Sequence, residues 1–284
     1  MLVLRRLLVP TDRGPCAAAA YAHARRLARL TDAELHLVHA ETVTDEVQDD
    51  PAVTLPPPDG LRLVEATVTG DTVAGALLNY AEQHGMDLIV AGTHGRTGLA
   101  HWLLGSVAER LVREAPCPVL TVRACDEPAA PPPIRRILAP VDFSARSEHA
   151  LRHARALADL YDARVDLLHV VAATLAPEAY GLGLVWDEAI PEVLVRSREA
   201  LAEVAARLLG DARTGALTVE VGSPADVVLS ATEAEPIDLV VMATHGLTGF
   251  RRFALGSVTE RVVQHAACPV FTVKSLGRSL VTDA

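Results

Sequence analysis

Along the chain, short unbroken apolar runs alternate with longer stretches in which alanine and leucine recur every three or four residues. The run Arg6-Leu7-Leu8-Val9-Pro10 predicts a strand stopped by its proline, and residues 15–30 carry apolar positions at helical spacing. Further strands are predicted at 35–38, 62–68, 87–91 and 118–123, with helices at 72–84 and 106–114. The succession returns from Arg136-Ile137-Leu138-Ala139-Pro140: helix 146–160, strands 165–170 and 217–221, helix 224–234, strand 238–242, helix 257–265 and strand 269–274. Continuous Val/Ile/Leu strands separated by helices suit a parallel sheet covered on both faces.

The pattern is thus written twice. From 92 to 122, 18 of 31 positions match the residue 151 further on, against roughly two expected by chance at typical residue frequencies. The first repeat occupies 1–125 and the second 134–276, with residues 277–284 left as a tail. Between the repeats, 126–133 reads Asp-Glu-Pro-Ala-Ala-Pro-Pro-Pro, a stiff linker without an apolar face.

The copies are unequal. Asp12 maps to Asp142 and His39 to His169 at an offset of 130, but Gly70 maps to Gly222 at 152, so the first repeat is 22 residues shorter there. The second repeat fills the interval with a loop, 172–191, and a helix, 192–209, with Val195, Leu201, Val204, Leu208 and Leu209 on one face. The first has only acidic, proline-bearing sequence from Glu41 to Gly60. A crossover helix is missing, and another surface is expected to pack on the sheet in its place.

Composition narrows the function. Half the residues are hydrophobic and 22% charged, enough for two buried cores. The net charge of −10 argues against nucleic acid as a partner. No apolar run approaches membrane-spanning length and the N-terminal residues lack a signal-peptide pattern, so the expectation is a soluble, cytoplasmic protein. The four cysteines form no CxxC pair; Cys117 and Cys268 each precede a Pro-Val strand start and read as buried structural thiols.

Chemistry concentrates where the repeats agree best. Gly92-Thr93-His94-Gly95 runs through nine residues to Gly105-Ser106, and Ala243-Thr244-His245-Gly246 through nine to Gly256-Ser257. A glycine loop entering a helix presents unpaired N–H groups and the positive end of the helix dipole together, which suits phosphate. Gly95, Gly105, Gly246 and Gly256 let a polyphosphate approach the backbone. Ser106 and Ser257 either hold phosphate or simply cap their helices. Asp12 and Asp142 follow the first strand of each repeat. Each either accepts hydrogen bonds from ribose hydroxyls, with a magnesium ion nearby, or caps the next helix. Arg96, Arg251 and Arg252 reach a triphosphate or remain solvated. His94 and His245 suit turn-ordering better than acid–base work, because no nucleophile–base set and no P-loop lysine accompany them. His39 and His169 read as structural, with Ala40 and Val170 offering backbone groups to a purine. Tyr180, Gly181, Gly183 and Trp186 suit either a lid or a plain loop.

The openings Val9-Pro10-Thr11-Asp12 and Ala139-Pro140-Val141-Asp142-Phe143-Ser144, the glycine loops, and the closing Cys-Pro-Val strands together resemble the universal stress protein family, in tandem form, over nearly all of residues 3–275. The resemblance implies two flavodoxin- or Rossmann-like α/β domains, each a five-stranded parallel sheet in order 3-2-1-4-5 with helices on both faces. It also implies ATP as ligand and pairing of the domains through their last strands, here within one chain. The candidate binding set is Pro10, Thr11, Asp12, Ala40, Gly92, His94, Gly95, Arg96, Gly105, Ser106 and Val107 in the first repeat. In the second it is Pro140, Val141, Asp142, Val170, Ala243, His245, Gly246, Arg252, Gly256, Ser257 and Val258. The leading expectation is a nucleotide-binding stress-response regulator acting on unidentified protein partners, with homodimerisation open. A slow Mg²⁺- or Mn²⁺-dependent ATP hydrolase and a non-binding scaffold are the alternatives. A receiver or flavin-binding module is disfavoured, because a single aspartate follows each first strand. The first repeat's Asp12-Arg13-Gly14 is expected to alter its first loop, leaving the second repeat as the more intact and tighter site.

Overall fold

The computed structural model describes residues 2–42, 60–93, 104–123, 131–172, 183–244, 255–274 and 277–281. In the first repeat the order is β1 (Arg6–Pro10), α1 (Pro15–Thr31), β2 (Glu34–Thr42), β3 (Leu63–Gly70), α2 (Val73–Gln83), β4 (Leu88–Gly92), α3 (Ser106–Glu114) and β5 (Val119–Val122). The second gives β6 (Arg136–Pro140), α4 (Ala145–Tyr161), β7 (Arg164–Ala172), α5 (Gly183–Leu208), β8 (Thr214–Gly222), α6 (Pro224–Ala234), β9 (Leu239–Ala243), α7 (Ser257–His265) and β10 (Val270–Val273).

All ten strands form one sheet in the order β3-β2-β1-β4-β5-β10-β9-β6-β7-β8. Each repeat has the 3-2-1-4-5 order with parallel neighbours, and the halves join where β10 runs antiparallel to β5, Phe271 opposite Leu120. Thr121 Oγ1 donates to the Val270 carbonyl and Thr272 Oγ1 to that of Val119, so each strand bonds the other twice over. Alternation along the strands feeds two apolar layers that cross the junction. Leu7, Leu120, Ile137 and Phe271 lie in the layer under α1, α4 and α5; Leu8, Val119, Leu138 and Val270 lie in the layer under α2, α3, α6 and α7.

The linker and tail are tied to this body. Arg26 donates to the Pro132 carbonyl and lies over the Tyr161 ring, joining α1 to α4. Beyond the tail's Gly277, Arg278 N–H donates to the Pro116 carbonyl, Leu280 N–H to His153 Nε2, and Val3 N–H to the Leu280 carbonyl. Leu280 is buried.

Two expectations change. α5 begins at Gly183 and runs through Pro191, whereas the sequence was read as a loop up to that proline. A proline suits a first helical turn, which makes it look like a start, yet it removes only one N–H and a longer helix absorbs it. Gly183 and Trp186 therefore sit on a helix; Tyr180 and Gly181 lie outside the described residues. The second change concerns the short interval of the first repeat. Residues 43–59 lie outside the described residues, and no helix stands between β2 and β3 among the described ones. On the described part of the face expected to need cover, the edge strand is polar. Glu65, Thr67 and Thr69 of β3 pair in register with Leu37, His39 and Glu41 and are exposed. The second repeat has Leu217, Val219 and Val221 at those positions, against Leu167, His169 and Val171; Val219 packs in the layer that includes Leu201 and Val204 of α5, while Leu217 and Val221 stay exposed. At these three positions β3 carries polar side chains where β8 carries aliphatic ones.

Phe271 is 1% exposed at the centre of the junction. Phe271→Ala is expected to cost about 3–5 kcal/mol, read as a lowered urea midpoint for the chain; an unchanged midpoint would mean that the β5–β10 seam adds nothing to stability.

Candidate functional site

In each repeat the chain leaves the first strand on one side of the sheet and returns to its other side at the fourth, so the two loops diverge and a crevice opens between them at the strands' carboxyl ends. In the first repeat this is a cleft of ≈ 340 Å³ between the ends of β1 and β4, within the range of small-molecule sites. It is lined by Pro10, Thr11, Asp12, Ala40, Gly92, Gly105, Ser106 and Val107, all from the candidate set. Val38, Val73, Leu77, Ala91 and Leu111 supply an apolar wall. Val73 and Leu77 were missed as site residues because their i, i+4 spacing marks only a buried helix face; nothing local says that the face borders a cleft.

The loop after β1 is tightly determined. Thr11 N–H continues the ladder by donating to the Val38 carbonyl, and Gly14 N–H donates to Asp12 Oδ1 at 2.8 Å. Arg13 between them sits at φ 62°, a left-handed conformation that costs any side chain but glycine. The second repeat makes the same turn from different residues: Phe143 stands at φ 60°, and Ser144 donates to Asp142 Oδ1 from N–H at 3.0 Å and from Oγ at 2.6 Å. The expected difference between the two loops is therefore one of side chains and not of backbone. Phe143 packs on His169 at 4.4 Å, and Ser144 caps α4 by accepting from Ser147 N–H, whereas Gly14 leaves α1 without a side-chain cap. Each carboxylate accepts from the N–H of the N-cap residue, Gly14 or Ser144, and so closes the loop at the entrance to its helix.

His39 and His169 brace these loops from β2 and β7. Their Nδ1 atoms lie 2.7 and 2.8 Å from the carbonyls of Thr11 and Val141. A carbonyl only accepts, so Nδ1 carries the proton in both.

At the fourth strand, Gly105 N–H donates to the Thr93 carbonyl at 2.7 Å and Gly256 N–H to that of Thr244 at 3.0 Å, pinching each glycine loop shut at its base. The loops between, with His94, Gly95, Arg96, His245, Gly246, Arg251 and Arg252, lie outside the described residues. Gly105 and Gly256 are the N-caps of α3 and α7, at φ −60° and −64°, without a side-chain cap. Ser106 and Ser257 are then the first helical residues and not caps. A glycine at this position leaves the first-turn N–H groups of each helix without a side-chain acceptor, an arrangement suited to an anion. Pro140, Val141, Asp142, Val170, Ala243, Gly256, Ser257 and Val258 occupy the equivalent positions of the second repeat.

Gly92 is explained by crowding and not by dihedral angle. A Cβ there would stand 2.8 Å from the backbone and Cβ of Cys16, where α1 crosses β4. Cys117 is buried and its thiol pushed up to about 12 by that burial, as is that of Cys268, so both stay protonated. No helix among the described residues is long and apolar enough to cross a membrane.

A doubly wound parallel sheet with its cleft at the switch point defines the protein's class. A profile of the universal stress protein family matches residues 4–123 and again 133–274, and the chain belongs to that family as a tandem. It is 29% identical to universal stress protein Rv2623 of Mycobacterium tuberculosis over 94% of this chain and 96% of that one. With universal stress protein MJ0531 of Methanocaldococcus jannaschii it shares 34% identity over 49% of this chain and 82% of the relative. A putative universal stress protein structure from Pseudomonas aeruginosa UCBPP-PA14 shares the fold, with a TM-score of 0.70 at 20% identity over 95% of this chain and 93% of the other.

Because α1 leaves no room above it, Gly92→Ala is expected to lower stability by about 1–3 kcal/mol, whereas Ala243→Gly should cost about 0.5–1 kcal/mol. Thermal unfolding of the two variants side by side checks the order.

Proposed function

We propose that the chain is an adenine-nucleotide-binding regulatory protein, with ATP as its Mg²⁺ complex held in both clefts. The observation that carries this reading is the convergence of three features on one ≈ 340 Å³ cleft: an apolar wall, a carboxylate fixed at its mouth, and a helix N-terminus without a side-chain cap. An adenine ring suits the wall of Val38, Ala40, Val73 and Leu77, and ribose hydroxyls suit Asp12. The phosphates suit the first turn of α3, where Ser106 and Val107 bring their N–H groups. The fit rests on described residues alone; the arginines and histidines of the glycine loops would add to it.

Occupancy acts by holding together the loop after the first strand and the loop after the fourth. Other proteins then read the ordered surface. The second repeat is the tighter site in this reading, supported by its capped α4 and by the Phe143–His169 stack that stiffens its first loop.

The test is nucleotide content. Protein is heat-denatured and the supernatant's adenine nucleotides are separated by anion exchange and quantified per chain. The expected result is one to two ATP per chain, with Gly256→Arg lowering Mg·ATP affinity more than Gly105→Arg. No nucleotide, together with no thermal shift at millimolar Mg·ATP, would leave the chain a scaffold.

A further inference from the structure

Each helix that opens onto a cleft has its far end held by a cation from the opposite repeat. Lys274, just past β10, donates from Nζ to the carbonyl of Ala115, the C-cap of α3, at 2.6 Å. Arg123, just past β5, donates from Nη1 to the carbonyls of His265 and Ala266 at the end of α7, at 3.3 and 3.2 Å. These are one contact made twice, because 123 and 274, like 115 and 266, differ by 151. Antiparallel pairing causes the exchange. With Val119 opposite Thr272 and Thr121 opposite Val270, each strand runs out beneath the helix that precedes its partner.

α3 and α7 have nine residues each, a length of about 13 Å. An anion at the N-terminus and a cation at the C-terminus favour the same dipole, and a helix this short has no stability of its own to insulate one end from the other.

From this geometry we infer that Lys274 and Arg123 are positioning residues for the cleft of the opposite repeat, so that each repeat's nucleotide affinity depends on a side chain of the other. The inference rests on the nucleotide reading above and extends it to communication between the sites. Neither side chain touches the ligand; Lys274 fixes the helix whose first turn receives the phosphates of the first cleft, and Arg123 does so for the second.

The two cations differ in a way that makes the coupling pH-dependent in one cleft alone. Burial pushes the Lys274 amine down to about 8, opposed by the Glu114 carboxylate. Cys117 stays protonated in this range, and Glu114 is held ionised by its hydrogen bond from Arg110. As pH rises through about 8, Lys274 loses its proton, the charge at the end of α3 disappears, and affinity in the first cleft falls. The second cleft has a guanidinium in place of an amine at this position and does not respond.

Isothermal titration of the full chain with Mg·ATP tests this with one cleft closed at a time. In a Gly256→Arg background, Lys274→Met is expected to weaken binding to the first cleft about three- to tenfold, and Lys274→Arg to retain it. In a Gly105→Arg background, Arg123→Met should weaken the second cleft similarly, and Arg123→Lys should not. Raising the pH from about 7 to about 9 should weaken the first cleft in the parent but not in Lys274→Arg. Unchanged affinity in Lys274→Met overturns the inference. Equal losses in the Met and Arg variants also overturn it, because they would report packing and not charge. Should the intact chain bind no Mg·ATP, the ligand reading has failed, and amide exchange then decides the helix contact alone. Faster exchange in the first turn of α3 in Lys274→Met than in Lys274→Arg upholds it, and equal exchange overturns it.

Discussion

The antiparallel pairing of β5 with β10 is the contact on which the rest of this molecule depends. Two five-stranded parallel sheets would each end in a four-residue strand with unpaired N–H and C=O groups on one side. Setting the two ends together satisfies both rows and fuses the apolar layers above and below into continuous cores around Phe271 and Leu120. It also fixes where the clefts lie, because α3 and α7 precede the paired strands directly. Among the described strands, only β3 and β8 are left as outer edges. They are managed differently: β3 carries Glu65, Thr67 and Thr69 toward solvent, and β8 buries Val219 in the layer that includes α5.

The candidate site is built on backbone geometry more than on side-chain chemistry. In both repeats a left-handed residue follows the first strand and a backbone bond from the N-cap glycine closes the base of the loop after the fourth, and the same frame stands on Arg13-Gly14 as on Phe143-Ser144. That tolerance follows from what holds the turn: a carboxylate accepting a backbone N–H and a histidine donating to a backbone carbonyl. Neither bond depends on the identity of the residue between them.

What was legible in the sequence was what periodicity and repetition encode. Parallel strands, helix positions and the aspartate after β1 all follow from runs and offsets read locally. The start of α5 did not, because Pro191 carries a start signal that the preceding turn overrides. Gly92 pointed to the right place for a different reason: α1 crosses β4 at a distance that no local pattern contains. The polar face of β3 was visible as Glu65, Thr67 and Thr69. Alternation alone puts these three on one side; that this is the side α5 covers in the second repeat is seen only once β3 is in register with β2 and β8 with β7. The reciprocal hold of Lys274 and Arg123 on the opposite helices was out of reach for the same reason, since it exists only once the two strands are paired.

Joining the halves in one chain has a consequence beyond assembly. Two identical chains meeting through these strands would have to carry every substitution in duplicate. This chain need not, and at one buried position it has taken two routes. His36 bridges Tyr80 and Glu34 at 2.8 and 2.7 Å in the first half. At the matching place Asp166 accepts from Arg136 and from Ala216 N–H. Covalent fusion frees each half from its twin, so the two clefts can drift toward different affinities, or different tasks, while the seam between them stays symmetric.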